Sequence, residues 1–344
     1  MRVLVTGGTG FVGSHAAAAL SARGHDVRLL VRSPEKVGPV LEALGVAVAD
    51  VVAGDVTDAA SVRAALAGCD SVVHAAALVS LKRGDEEHLR EVNVGGTEAV
   101  IDTALDRGAD PVVHVSSFTV LAPDAGRIRV DSAVGRPEGA YAASKADAER
   151  VARARQERGA PVVIVYPGGV WGPHDTNLGE PTQGLRFLLG GRVRPIPRGG
   201  FPIVDVRDVA AVIAAAVEPG RGPRRYLAFG RYVAAEEVLR ILAAATGREI
   251  RPLALPASVA RAGGRFADAI NERLPVQLIW GSQAVAELFS GVTADDAATW
   301  SELGMTPRPV EDTLADTIVW LAEAGVLPVR RIGKLSSRLP RPPS

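Results

Sequence analysis

Cysteine occurs once in these 344 residues and lysine four times, opposite charges cancel, and no hydrophobic run is long. A single thiol, Cys69, excludes an internal disulfide and any cysteine-based metal cluster. Set between Gly68 and Asp70, it reads as a packing residue, and no metal is expected. The 39 basic side chains balance 39 acidic ones, so no net field draws in nucleic acid or an anionic membrane. The longest apolar stretches, such as Val209 to Val217, are too short to span a bilayer. With an apolar strand expected from residue 2, no secretion signal is expected. The expectation is a cytoplasmic protein with a small-molecule partner.

What is present is alternation. β-rich runs are expected at Arg2–Thr6, Asp26–Val31, Ala47–Ala53, Ser71–Ala75, Val112–Ser116 and Val162–Tyr166. Helices are expected between them, at Gly13–Arg23, Pro34–Leu44, Ala59–Leu66, Glu86–Arg107 and Gly139–Arg158. The strands are nearly continuous Val, Leu and Ile, the pattern of a parallel sheet covered on both faces. This predicts an α/β fold with a doubly wound parallel sheet. The rhythm breaks after Tyr166. Gly168 to Gly200 is rich in Gly and Pro, with a helical piece near Gln183–Leu189. Asp208 reads as the N-cap of a helix Val209–Glu218, and Arg224–Phe229 as a strand returning to the main sheet. Helices follow at Ala234–Thr246, Ser258–Arg273, Gln283–Phe289 and Glu311–Ala324. The division expected is a nucleotide-binding domain at 1–165 joined by a return segment near 203–230. A smaller, mostly helical substrate lobe takes 166–328, and a basic, solvated tail takes 329–344.

The first strand runs into Gly7-Gly8-Thr9-Gly10-Phe11-Val12-Gly13 and then an Ala-rich helix. Glycines at 7, 10 and 13 allow a sharp strand-to-helix turn, close approach of a pyrophosphate, and tight helix packing. The helix then points its free N–H groups at the anion. A dinucleotide site follows, made by Gly7, Thr9, Gly10, Phe11, Val12 and Gly13. About twenty residues on, where an acid reads the ribose 2′-hydroxyl of NAD, stands Arg32. Its guanidinium suits a 2′-phosphate, with Lys36 one turn further and Ser33-Pro34 opening the next helix. NADP(H) is therefore preferred over NAD(H), although strand-end Arg and Lys also occur simply as solvated surface. Asp55, followed by Val56, is placed to accept from the adenine amino group or to cap a helix.

Tyr141 and Lys145 lie four apart on one helix face. A nearby ammonium favours phenolate and brings the tyrosine towards proton transfer at neutral pH. Ser116 and Ser117 end the fifth strand, where a hydroxyl can hold a carbonyl. Ser117 is the better placed, with Ser116 left to satisfy backbone groups. Asn93, beside Gly95 and Gly96, is a poor helix former, a conflict that marks either function or close packing. Its side chain could hold a water joining Lys145 to solvent.

Taken in order, the glycine turn, Asp55-Val56, His74-Ala75-Ala76-Ala77, Asn93, Ser117 and Tyr141/Lys145 resemble the extended short-chain dehydrogenase/reductases. The similarity runs from Met1 to about Leu327. The Val31-Arg32-Ser33-Pro34 segment and the Gly304–Trp320 region look most like the dihydroflavonol-4-reductase-like branch. The resemblance implies a Rossmann-type fold, a catalytic set of Ser117, Tyr141, Lys145 and Asn93, and a possible homodimer. It implies cofactor contacts from Ala75, Ala76 and Ala77, from Tyr141 and Lys145, and from Pro167, Gly168, Gly169 and Val170, with Arg32 and Lys36 on the 2′-phosphate.

Departures from that family's pattern narrow the chemistry. Dehydratases carry an Asp-Glu pair after the catalytic Ser/Thr, where this chain has Phe118 and Thr119. Epimerases place an Asn where Gly169 stands, and Tyr166 replaces an Arg. Phe118, Trp171, His174 and Phe187 are candidate substrate contacts in an apolar pocket, with His174 equally readable as a loop histidine facing solvent. The expected activity is reversible hydride transfer between NADP(H) and an aldehyde or ketone. The alternatives are a nucleotide-sugar epimerase, a steroid dehydrogenase/isomerase, and a non-catalytic cofactor sensor.

Overall fold

The computed structural model describes residues 1–79, 84–197, 199–273, 281 and 291–340. They form two compact units: Met1–Gly168, Val206–Phe229 and Ala294–Thr306 in the first, Gly169–Asp205, Gly230–Thr293 and Pro307–Ser344 in the second. In chain order the first half contains β1 (Arg2–Thr6), α1 (Phe11–Ala22), β2 (Asp26–Val31), α2 (Val37–Glu42), β3 (Asp50–Ala53), α3 (Ala59–Ala65) and β4 (Ser71–His74). Then come α4 (Glu86–Arg90), α5 (Gly96–Asp106), β5 (Val112–Val115), β6 (Arg127–Arg129), α6 (Ala140–Glu157) and β7 (Val162–Pro167). The second half adds β8 (Val170–Trp171), α7 (Glu180–Leu189), β9 (Val193–Pro197), β10 (Gly200–Asp205), α8 (Val206–Ala216), β11 (Arg224–Ala228), β12 (Arg231–Ala234), α9 (Ala235–Thr246), β13 (Arg251–Leu255) and α10 (Ala257–Arg273).

The first unit is built on a seven-stranded sheet of order β11-β7-β5-β4-β1-β2-β3. Every pairing in it is parallel. β4, β5 and β7 are buried along their whole length, which is why they read as apolar runs rather than alternation. The strand order reverses between β1 and β4, and at such a switch point the carboxyl ends of an open α/β sheet leave a crevice. α1 buries Ala16, Ala17 and Leu20 and packs against α8.

Three expectations in this unit need correction. The helix expected over Glu86–Arg107 is α4, a π-helical turn at Glu91–Gly95, and α5. Asn93 and two glycines make this the weakest point of the segment, and the chain there takes up an extra residue per turn. The third strand begins at Asp50, not Ala47. The helix expected to start after Asp208 begins at Val206, so Asp208 lies buried in its first turn instead of capping it.

The second unit contains more strand than expected. β8, β10 and β12 form a three-stranded sheet, and β9 pairs with β13 in parallel. Three of these strands lie in or next to the Gly/Pro-rich stretch, where each is only two to six residues long. Trp171, Leu185, Leu189, Leu242, Leu314 and Ile318 belong to its core, the last two from the helix Val310–Glu323. The basic tail is also a correction. Val329–Arg331 and Gly333–Arg338 are 3-10 turns, Ile332 is fully buried, and Arg338 pairs with Asp316. The expected helix Gln283–Phe289 lies outside the described residues. Among the described residues, no helix is long and apolar enough to cross a membrane.

Candidate active site

The turn between β1 and α1 is shaped by absent side chains. A Cβ on Gly13 would sit 2.1 Å from the Gly7 carbonyl oxygen, and Gly7 itself has φ +74°. At Gly7 a Cβ would meet the Ala76 nitrogen at 2.7 Å, so the loops after β1 and β4 lie directly on one another at the switch point. Gly10 caps α1 without a side chain. The N–H groups of Phe11, Val12 and Gly13, which have no intrahelical acceptor, are therefore left for an anion. Phe11 packs edge-on against His15, with ring centroids 5.4 Å apart. A cradle that a Cβ would fill, at the N-terminus of a helix, fits a pyrophosphate.

Arg32 and Lys36 are exposed past the carboxyl end of β2, and neither makes an ion pair among the described residues. Ser33 and Pro34 open a 3-10 turn, but the Ser33 side chain makes no capping bond. Asp55 is not a helix cap. Its Oδ1 accepts from the Thr57 N–H and hydroxyl, both at 2.9 Å, while Asp58 caps α3. Val56 is buried against Gly96, where a Cβ would come within 2.9 Å of its side chain.

A polar chain links the glycine turn to the helix that carries Tyr141. The Ala76 N–H donates to Thr6 Oγ1 at 3.3 Å, and Thr6 Oγ1 meets His74 Nδ1 at 2.8 Å. His74 Nε2 meets Thr97 Oγ1 at 3.1 Å, and Thr97 donates to the Asn93 carbonyl at 2.6 Å. Thr97 spends its one proton on Asn93, so His74 donates from Nε2 and accepts from Thr6 at Nδ1. His74 is thus a neutral, fixed tautomer. Burial, reinforced by the charge of Lys145, pushes its pKa down to about 3.

Asn93 then carries the chain onward. Its Oδ1 accepts from the Leu78 N–H at 2.7 Å, and its Nδ2 donates to the Leu78 carbonyl at 3.0 Å and to Ser144 Oγ at 2.9 Å. Ser144 donates to the Tyr141 carbonyl at 2.7 Å. Lys145 is 5% exposed and donates from Nζ to the Val115 carbonyl at 3.1 Å, immediately before Ser116-Ser117. Burial lowers its pKa to about 8, with Glu149 acting the other way.

The expectation for Ser116 needs correction. Ser116 Oγ is buried with no hydrogen-bond partner among the described residues, so it does not serve backbone groups. Ser117 Oγ lies 2.9 Å from Thr119 Oγ1 and accepts from the Thr119 N–H at 3.3 Å, which fixes its rotamer at the strand end. Phe118 packs edge-on against Phe229 at 5.3 Å.

Pro167 ends β7, and Gly168 follows it in the first unit, where a Cβ would meet the Phe229 carbonyl at 2.1 Å. Gly169, Val170, Trp171, His174 and Phe187 belong to the second unit. A Cβ on Gly169 would sit 2.3 Å from the Pro202 carbonyl, so backbone packing, rather than space for a ligand, dictates glycine there. Trp171 is 4% exposed and packs on Phe201, and Phe187 packs on the same core beneath the Arg194 guanidinium. These two rings are accounted for by the core. His174 is half-buried, has φ +65° and leans on Trp320 at 5.9 Å, so it does not simply face solvent.

Four side chains of this network had no role in the sequence reading: Thr6, Thr97, Ser144 and Glu149. Ser144 had a signal, since it lies between Tyr141 and Lys145. Thr6 and Thr97 sit 91 positions apart and become partners only through His74.

Residues 3–228 match the "NAD dependent epimerase/dehydratase family". The chain is 31% identical to "Sterol demethylase protein B" of Methylococcus capsulatus, covering 95% of this chain and all of that one. It is 32% identical to "4-hydroxy-2-methyl-3-oxo-4-farnesyl-3,4-dihydroquinoline-1-oxide ketoreductase" of Stigmatella aurantiaca, covering 94% and 98% of the two chains. Among solved structures, dTDP-glucose 4,6-dehydratase DesIV (a double mutant) from Streptomyces venezuelae, with NAD bound, superimposes with a TM-score of 0.71. That match has 27% identity and covers 94% of this chain and 97% of the other. Glycine turn, seven-stranded parallel sheet and matched sequence agree, and the chain belongs to the NAD dependent epimerase/dehydratase family of extended short-chain dehydrogenase/reductases.

Proposed function

We propose that this chain is an NADP(H)-dependent oxidoreductase that reduces an aldehyde or ketone, or oxidises the matching alcohol, with Tyr141 as general acid/base. When bound, the nicotinamide supplies or takes up the hydride. Ser117 holds the carbonyl oxygen, and Tyr141 passes its proton to that oxygen. Lys145, still largely protonated at neutral pH with its pKa about 8, stabilises the phenolate that results. Asn93 and Ser144 fix the turn of α6 that bears Tyr141. The turn Gly7–Gly13 cradles the pyrophosphate, Asp55 and Val56 flank the adenine, and Ala75 to Ala77 line the opposite side. Arg32 and Lys36, cationic and without acidic partners among the described residues, take the 2′-phosphate.

The observation that carries this reading is the placement of Lys145. It is a buried ammonium, one helical turn from Tyr141, tied to the backbone where Ser116-Ser117 begins. Phe118 and Thr119 offer no acid–base pair for eliminating water. Relatives named for a sterol and for a farnesylated ketone favour a carbonyl on a large apolar body. The test is NADPH oxidation against a panel of aldehydes, ketones and steroid-like substrates, run beside Tyr141→Phe. Turnover that vanishes in the variant while NADPH still binds is expected. An equally active Tyr141→Phe, or NADPH binding with no carbonyl reduced, overturns the proposal.

A further inference from the structure

Helix α6 carries Tyr141, Lys145, Glu149 and Arg153 at successive steps of four, so phenol, ammonium, carboxylate and guanidinium follow one another down one face. The reaction described above uses only the first two. Glu149 is fully buried. Its Oε1 accepts from Arg153 Nε at 2.7 Å and from the Tyr166 hydroxyl of β7 at 2.6 Å. Arg153 is itself pinned, with Nη2 on the Tyr166 oxygen at 3.0 Å and Nη1 on the Ser132 carbonyl at 2.9 Å. Glu149 Oε2 is buried and makes no hydrogen bond among the described residues.

That arrangement is a poor device for stability. A buried carboxylate with one oxygen unsatisfied costs more than an apolar side chain of the same volume. The charge left unspent on Oε2 acts through a low-dielectric interior, one helical turn from Lys145. Burial disfavours the Lys145 ammonium, and Glu149 is the group that opposes this. Among the described residues, the other charged or titratable groups acting on this stripe are His114 of β5 and His74 of β4, both held neutral by burial, and Arg225, which acts on Tyr166. On other faces of α6, Arg90 pairs with Asp147, while Asp102 and Glu98 pair with Arg155.

We infer that Glu149 is a positioning residue for the Tyr141/Lys145 pair: its negative charge keeps the buried ammonium charged, while Arg153 and Tyr166 hold the carboxylate in place. This rests on the assignment of Tyr141 as general acid/base. The test reads the ionisation of Tyr141 directly, as phenolate absorbance in the difference between each protein and its Tyr141→Phe counterpart. Glu149→Gln raises the Tyr141 titration by about one pH unit and lowers kcat at neutral pH about tenfold, with the carbonyl KM little changed. Glu149→Asp recovers part of both effects. Arg153→Gln removes the counter-ion and anchor that keep the buried carboxylate charged, so it moves the titration the same way as Glu149→Gln and carries the test if that variant does not fold.

An unmoved Tyr141 titration in these variants, whatever happens to their melting temperatures, overturns the inference, as does failure of both Glu149→Gln and Arg153→Gln to fold. An inactive Tyr141→Phe beside an unmoved Glu149→Gln removes this inference alone. An active Tyr141→Phe removes the proposed reaction as well.

Discussion

Asn93 donates to the Ser144 hydroxyl at 2.9 Å, and Ser144 hands the bond on to the Tyr141 carbonyl at 2.7 Å. A residue in a π-helical turn thereby sets the height of the helix that presents the phenol. Asn93→Ala breaks this link and the two bonds to Leu78. We expect kcat to fall about 10- to 100-fold, the scale of a small misplacement of a reacting group, with NADPH affinity changed far less. Steady-state kinetics beside fluorescence-monitored NADPH binding checks this. A kcat within twofold of the parent would remove Asn93 from the site.

Gly13→Ala puts a Cβ against a backbone oxygen that has no room to yield. The expected result is loss of NADPH binding together with destabilisation of more than about 1–3 kcal/mol, read by thermal unfolding. Gly184→Ala, inside α7 at a glycine with ordinary backbone angles and nothing within 4 Å, is the control for general glycine effects.

Arg32→Ala removes an exposed cation and disturbs no packing. The ratio of kcat/KM for NADPH to that for NADH is expected to fall by about 10- to 100-fold, the worth of one charge-assisted phosphate contact. Equal use of both cofactors by the parent protein defeats the assignment of Arg32 and Lys36.

Acid sensitivity is expected from two buried histidines. His74 titrates at about 3 in the folded chain, against 6.5 for an unperturbed histidine, and His114 is also pushed well below that value, mainly by burial. Below pH 6.5 the unfolded chain takes up protons that the folded chain refuses, so stability is complete above that pH and is lost as pH falls. For His74 the loss runs from about 6.5 towards 3, at up to about 1.4 kcal/mol per pH unit. Both ring nitrogens of His114 are buried without hydrogen-bond partners among the described residues. His114→Leu is therefore expected to hold or raise neutral-pH stability by about 1 kcal/mol and to flatten the acid slope. Urea unfolding at neutral and acidic pH measures both, and an unchanged slope would assign the sensitivity elsewhere.

The first unit was legible because its signals are local. A glycine-rich turn, apolar strands and a four-residue Tyr-to-Lys spacing each need only neighbouring residues. Even the break at Asn93 was visible as a conflict of propensity, although a π turn was not foreseen. The second unit was harder. β8, β10 and β12 are short and gain their identity from partners far away in the chain, which no local pattern reports. Asp208 was misplaced because β10 runs into α8 without a gap, leaving no turn for a cap to mark. Glu149 was passed over because a carboxylate in an Ala-rich helix looks like a solvated one until Tyr166 and Arg153 close over it.

The C-terminal segment has a practical consequence. Arg331 and Arg248 both donate to the Leu189 carbonyl, and Arg248 also donates to the carbonyl of Arg331, so the end of the chain clasps the end of α7. Ile332 and Leu335 are buried in the apolar core of the same unit. An expression boundary drawn at residue 328, where composition turns basic, would strip two apolar plugs from a finished interior and leave a sticky, poorly behaved product.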